Sequence, residues 1–348
     1  LTGLTGEPPL TPLMGRELLN ETAASDPAAR NTLTFLAYRE KLLAGSWRFN
    51  TYFGRDTLIS VRLLLSALNP AAIEAGLESV LARLSPRGEV AHEEDIGEQA
   101  VLDHLKSDGT RSAVPVYDYK MIDGDYLLAP VVSAWLLHDT RGRARAVAFL
   151  AAPLGGPPSR HRSRGAAVMR NLRLVLTSAA AFAAHPDSAQ LIGLKPGFAV
   201  GEWRDSESGL GGGQYPYDVN AVLVPAALTA AAELYASGLL TPFTSAADRA
   251  LLQRATMMAE VWRKRAPPLF DVTIANKAAV EAATRYALQE KVPVQPALAA
   301  LGDADVNFHA IALTAAGVPV PVLHSDEGFE LLFGAPDPET QARIEAGH

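Results

Sequence analysis

The chain contains no cysteine. That excludes disulfides, a thiol nucleophile and a thiolate-held metal, but leaves the compartment open, because cysteine-free proteins occur both in the cytosol and outside the cell. Charge of one sign is also scarce: 31 Lys and Arg face 38 Asp and Glu, for a net charge of −7. No basic block supplies the footprint that phosphate neutralisation requires, so nucleic acid is not an expected partner. Long apolar runs are missing too. No stretch reaches the roughly 18 uninterrupted apolar residues of a membrane span, so no membrane partner is expected. The N-terminus, Leu1-Thr2-Gly3, has neither a starting Met nor a charged segment followed by an apolar one. The chain is read as a fragment of a longer one, soluble, with the cytoplasm slightly favoured.

Several chemistries lack their signatures. The glycines from Gly209 to Gly213 precede no Lys-Ser or Lys-Thr and follow no strand pattern, which excludes a phosphate loop and a dinucleotide fingerprint and leaves a flexible lip. No nucleophile elbow supports Ser-His-Asp hydrolysis. No cofactor or metal is expected. His92-Glu93-Glu94-Asp95 reads as a solvated helix-leading turn more readily than a metal site. Asp123-Gly124-Asp125 lacks the ligand ladder of a calcium loop.

What is present is a globular composition, 48% hydrophobic and 20% charged over 348 residues, enough for a large core in a single domain spanning 1–348. Apolar residues recur at three- and four-residue spacing while alternating stretches are scarce, so the expected fold class is all-α. Helices are predicted near 28–44, 56–68, 70–84, 124–138, 143–151, 165–184, 218–236, 245–264 and 276–289, with shorter ones near 295–301 and 307–316. Trp135 and Trp262 fall on apolar helical positions and are assigned to the core. Residues 153–164, rich in Gly, Pro, Ser and Arg, read as an exposed loop.

Three connections carry the chemistry. Residues 45–57 pack four aromatics and two Arg between helices. Residues 85–124 hold the His92 acid cluster and Tyr117-Asp118-Tyr119-Lys120. Residues 193–218 contain Gly201-Glu202-Trp203-Arg204-Asp205-Ser206. Sugar chemistry needs flat aromatic faces for C–H surfaces, planar charged groups for hydroxyls and two carboxyl groups across the scissile bond, and these loops offer all three. A carboxyl against an aromatic wall has its anion disfavoured, the condition for proton donation, and Trp203-x-Asp205 offers that pairing.

Phe53-Gly54-Arg55-Asp56-Thr57-Leu58-Ile59 resembles the Gly-Arg-Asp-Thr signature of six-hairpin glycosidases, especially the amylo-α-1,6-glucosidase domain of glycogen debranching enzymes. Trp203-Arg204-Asp205-Ser206 followed by Tyr217-Asp218-Val219-Asn220-Ala221 is similar to that family's Trp-x-Asp-Ala segment and the helix that follows it. The two motifs cover about 30 residues directly, in the family's order. The resemblance implies an (α/α)6 toroid, here incomplete at its C-terminus, that cleaves α-glucosidic bonds of an α-glucan or oligosaccharide with inversion and without a cofactor. It implies Asp205 as the catalytic acid, Arg55 and Asp56 as a grip on glucose hydroxyls, Trp203 as a cleft wall and Asn220 as support for the pocket floor. Phe53, Asp118, Asp123 and Glu202 join them as candidate substrate-binding residues. Asp218 stands where the family has Glu, and no late segment matches the family's base; Glu327 is the first candidate and Glu330 the second. Plainer roles stay open: Asp56 complementing a helix dipole with Arg55 paired to it, and Asp205 stabilising a turn. Rival functions are a trehalase-like or oligosaccharide glucosidase, a lyase, and a non-catalytic carbohydrate-binding protein on the same scaffold.

Overall fold

The computed structural model describes residues 9–46, 49–154, 163–334, 336 and 338–347. The chain is mostly helical. Helix α1 (Pro27–Leu36) starts at Asp26, whose carboxylate accepts from the amides of Ala28 and Ala29, with Pro27 in the first turn where its missing N–H costs nothing. Three helical hairpins follow. The first joins α2 (Gly54–Leu63) to α3 (Pro70–Ala82). Gly76 lets them approach closely, since a Cβ there would lie 2.7 Å from Val61 Cγ2. Helix α4 (Gly97–Ser107) lies within the next long connection.

The second hairpin runs from α5 (Asp123–Ser133), through the short helices α6 (Thr140–Arg143) and α7 (Ala146–Ala151), to α8 (Arg164–Ala184). The third runs from a rod made of a π-helical stretch, Asp218–Leu223, and α9 (Val224–Ala236), through α10 (Ala246–Leu252), to α11 (Ala255–Arg265). Pro225 removes one N–H from the rod, and the widened turn before it accommodates the proline ring without ending the helix.

Helix α5 packs between α2 and α9, while α8 packs on α3, α5, α9 and α11. One layer is therefore α2, α5 and α9; the other is α3, α8 and α11. Every residue of α5 is buried. Trp135 and Trp262 are fully buried, as their spacing predicts, and Trp262 donates from Nε1 to the Ala179 carbonyl while its ring lies 4.2 Å from that of Phe182. The rod Asp218–Ala236 is long and apolar enough to cross a bilayer, yet 72% of its most apolar window lies inside the protein, the composition of a core helix.

The remaining segments correct the expected helices. The predicted helix 28–44 stops at Leu36, because the chain reverses through Tyr38–Lys41 and draws Lys41 inward onto buried Glu94. The predicted helix 245–264 breaks at Gln253 and Arg254. Predicted helix 307–316 is extended: β5 (Val306–His309) pairs with β4 (Asp271–Ile274), and β6 (Ala312–Leu313) lies between β3 (Tyr215–Pro216) and β7 (Pro319–Val320). Its four apolar residues, Ala310 to Leu313, fit a buried strand as well as a helix, and Gly317 at φ +76° closes the hairpin to β7. Between β4 and β5, α12 (Asn276–Glu290) and α13 (Gln295–Leu301) form an outlying pair. Helix α14 (Gly328–Phe333) packs on the π-helical stretch, and α15 (Pro338–Gly347) ends the described chain. The predicted loop 153–164 is pinned by pairing of Pro153 with Ser163; its residues 155–162 lie outside those described.

The starts of α2, α5 and the π-helical rod meet at one end of the α2–α5–α9 layer. Arg55 in the first turn of α2 reaches Asp123 in the first turn of α5, and Asp218 opens the rod beside them. Acidic side chains at these positions complement the positive ends of the helix dipoles.

Candidate active site

Gly54 is what permits the local geometry. A Cβ there would lie 2.2 Å from the Ala91 carbonyl oxygen and 2.7 Å from Val90 Cγ1, so only glycine lets α2 begin against the segment 90–93. Its amide donates to the His92 carbonyl at 2.9 Å, and Phe53 bridges to Glu93. The Phe53 ring is buried, 5.3 Å from the His92 ring in an edge contact. Phe53 thus shapes the site's wall from inside the core. Of the loop's other aromatics, Tyr52 is buried and Phe49 is exposed with its ring 5.8 Å from that of Phe53, while Trp47 and Arg48 lie outside the described residues.

Arg55 is the hub. Its Nη1 donates to Asp123 Oδ2 at 2.9 Å and its Nη2 stands 3.9 Å from Asp205 Oδ2. Burial works against the guanidinium charge, but Asp123, with Asp56 and Asp205 behind it, outweighs burial and holds its pKa above the ordinary value. His92 Nε2 lies 3.8 Å from the same Asp205 oxygen. Burial, and then the Arg55 charge, lowers the His92 pKa, so near neutral pH the imidazole is uncharged. Asp205 sits between these two groups with its side chain 47% exposed, on a turn at φ +21°.

The residues before Asp205 are held firmly. Glu202 Oε1 accepts from the Arg204 amide at 3.0 Å, and the Glu202 carbonyl accepts from the Asp205 amide at 3.1 Å. Arg204 pairs with buried Asp326 through Nη2 at 2.6 Å and Nε at 3.3 Å, and its guanidinium lies 4.7 Å from the Trp203 ring centre. Trp203 stands edge-on to Phe329, and with Ile59, Leu63, Phe329 and Leu332 it lines an apolar pocket of about 450 Å³. The Trp203 ring thus faces α2 and α14, whereas Arg55 and His92 flank the Asp205 carboxylate.

Burial acts strongly on Glu202 and Asp218. Glu202 is 2% exposed and Asp218 1% exposed. Desolvation pushes Glu202 up to about 8 and Asp218 well above the usual carboxylate range, with Asp123 and Asp326 adding to both. Among the described residues, Glu202 Oε2 and both Asp218 carboxyl oxygens have no hydrogen-bond partner.

Asp118 and Lys120 form the site's outer edge: Lys120 Nζ lies 2.9 Å from Asp118 Oδ2, and the Lys120 amide donates to Asp118 Oδ1. The Lys120 ammonium also feels Asp205 and Glu93. Asp56 is half-buried in the first turn of α2, within the field of Arg55. Asn220 is fully buried and spends its amide on backbone, accepting from the Ile192 amide and donating to the Ile192 and Pro216 carbonyls. It fixes the loop and the rod beneath the site.

Glu327, the candidate second carboxylate, is engaged by a histidine. It precedes α14, and its carboxylate is hydrogen-bonded to His309, which also faces Asp271 and stacks on Tyr217. Asp326, the residue before it, acts on Glu202 and Asp218.

The His92 segment is likewise not a solvated turn. Glu93–Asp95 forms β1, paired antiparallel with β2 (Val116–Asp118), and Glu94 is buried between Lys41 and Arg83. Burial alone would raise the Glu94 carboxyl, but the two cations outweigh it and hold it low. Asp125 accepts from the Val90 amide at 2.6 Å, which anchors the segment leading to His92. Among the described residues no group of three or more His, Asp or Glu is placed to hold a metal ion.

The sequence motifs missed Arg204, Asp326 and His92 as members of this site. Arg204 and Asp326 are 122 positions apart, so no local pattern couples them. No family model, curated protein or solved structure matches this chain.

Proposed function

We propose that the chain is a glycoside hydrolase that cleaves α-glucosidic bonds of an α-glucan or oligosaccharide by inversion, on a six-hairpin toroid to which the three helical hairpins belong. The observation that supports it is the meeting of three helix starts around Asp205, which is flanked by Arg55 and His92 above the Arg55–Asp123 pair. Asp205 is the proton donor, exposed enough to reach a glycosidic oxygen. Substrate entry displaces water from it. The glycosidic C–O bond breaks as Asp205 protonates the leaving oxygen, while water attacks the anomeric carbon from the opposite face and loses its proton to a second carboxylate. Glu327 is assigned that role, oriented by His309. Inversion requires the two carboxyls to stand about 6.5–9.5 Å apart in the loaded site. Arg55, Asp56, Asp118 and Lys120 supply charged groups for sugar hydroxyls.

The test is hydrolysis of maltose, isomaltose, trehalose and a debranching limit dextrin, with the released anomer read by NMR. A β-anomer from an α-linked substrate is expected. Release of the α-anomer contradicts inversion, and no release from any of the four contradicts the hydrolase reading. A second reading, a non-catalytic carbohydrate-binding protein, is favoured by one observation, the engagement of the Glu327 carboxylate by His309. Saturable binding of these sugars without turnover selects it.

A further inference from the structure

Glu202 holds both residues that follow it: its side chain accepts from the Arg204 amide and its carbonyl from the Asp205 amide. The result is a turn in which Asp205 adopts φ +21°, a conformation that residues with a Cβ rarely take, with its carboxylate set between Arg55 and His92. Arg204 cannot relax the turn, because Asp326 and the Trp203 ring fix its guanidinium. The second Glu202 oxygen points inward with no partner among the described residues. The charged groups around Glu202 are Arg204 on its own loop, Asp123 from α5, Asp218 from the π-helical rod and Asp326 from the segment before α14. Arg55 neutralises Asp123 and Arg204 neutralises Asp326, which leaves Glu202 and Asp218 as buried carboxyls without a cation of their own.

We infer that Glu202 is the positioning residue for Asp205, and that it fills this role only as a neutral carboxylic acid. Resting on the reading of Asp205 as proton donor, this makes Glu202 the group that closes the site at alkaline pH. An ionised Glu202 places a further negative charge beside Asp218, Asp123 and Asp326 with nothing to offset it. Repulsion and desolvation then drive the side chain outward and release the Arg204 amide. Burial holds the Glu202 proton to about 8, so the neutral form prevails at neutral pH and is lost as pH rises through that value.

The experiment compares pH profiles of kcat and KM for the full chain, E202Q and E202A on an aryl α-glucoside, together with a carbon-detected NMR titration of the Glu202 carboxyl in the unliganded protein. The wild type is expected to lose kcat with an alkaline limb near 8. E202A loses about tenfold or more in kcat at every pH with KM within about threefold, because the turn is released. E202Q, whose amide oxygen still accepts from the Arg204 amide, recovers most of that loss and lacks the alkaline limb. An unchanged limb in E202Q, or wild-type kcat in E202A, overturns the inference. If the wild type cleaves no α-glucoside, the hydrolase reading falls and the NMR titration decides alone. A raised Glu202 titration that also moves the Arg204 and Asp205 amide signals supports the positioning role, and titration in the ordinary Glu range overturns it.

Discussion

At the residue scale, the site is a set of charges whose pairing decides what each can do. Asp123 is 1% exposed and relies on Arg55 for its cation. Removing one partner of such a pair leaves the other buried and uncompensated, so Arg55→Ala is expected to cost about 3–5 kcal/mol in urea unfolding. A loss below about 1 kcal/mol would mean that Asp123 finds water or another cation. Gly54→Ala is expected to be disruptive too, since the new Cβ would meet backbone, not a movable side chain. A destabilisation of about 2 kcal/mol or more is expected from thermal melts. Arg55 and Asp56 stand out in the sequence because an Arg-Asp helix start after an aromatic run is a local pattern. His92 and Glu94 do not, because four adjacent polar residues look solvated until Lys41 and Arg83 arrive from other segments to pair with Glu94 and the Phe53 ring packs on His92.

At the element scale, helix existence was legible and helix ends were less so. The spacing over 165–184 matches α8 almost residue for residue, since Ser163 caps its start and the apolar face packs on α5 and α11. The segment 307–316 was misread as helix, because a short apolar run satisfies both periods and only its partners, Asp271–Ile274 and Tyr215–Pro216, settle Val306–His309 and Ala312–Leu313 as strands. Helix α10 starts in a capping box in which Ser245 and Asp248 exchange hydrogen bonds, with Arg173 of α8 pairing to Asp248. Ser245→Ala is therefore expected to destabilise by about 1 kcal/mol, measured by the urea midpoint. An unchanged midpoint would show that the Arg173–Asp248 pair alone secures this corner.

At the scale of the whole molecule, two layers of helices bring distant loops to one end, and buried acids mark that end. Asp125 and Glu202 are both held to about 8, chiefly by burial. A carboxyl whose folded pKa is raised binds its proton in the native state while the unfolded chain has released it. Each such group therefore lowers stability as pH rises from about 4 toward 8, at up to about 1.4 kcal/mol per pH unit. Asp248 acts in the opposite sense: hydrogen bonds from Arg173 hold its carboxyl low, so its contribution is lost as pH falls below the ordinary carboxylate range. Asp125→Asn, which keeps an acceptor for the Val90 amide, is expected to flatten part of the decline between pH 4 and 8 in denaturant titrations. An identical slope would locate the excess protons elsewhere.

In the proposed mechanism the convergent helix starts serve proton donation by Asp205. That role is tested by single-turnover hydrolysis of an α-linked glucoside by the wild type and by Asp205→Asn, with sugar binding measured in parallel by calorimetry. A rate loss of about 10² to 10⁴ with binding retained is expected. Wild-type turnover by Asp205→Asn would rule out Asp205 as the proton donor.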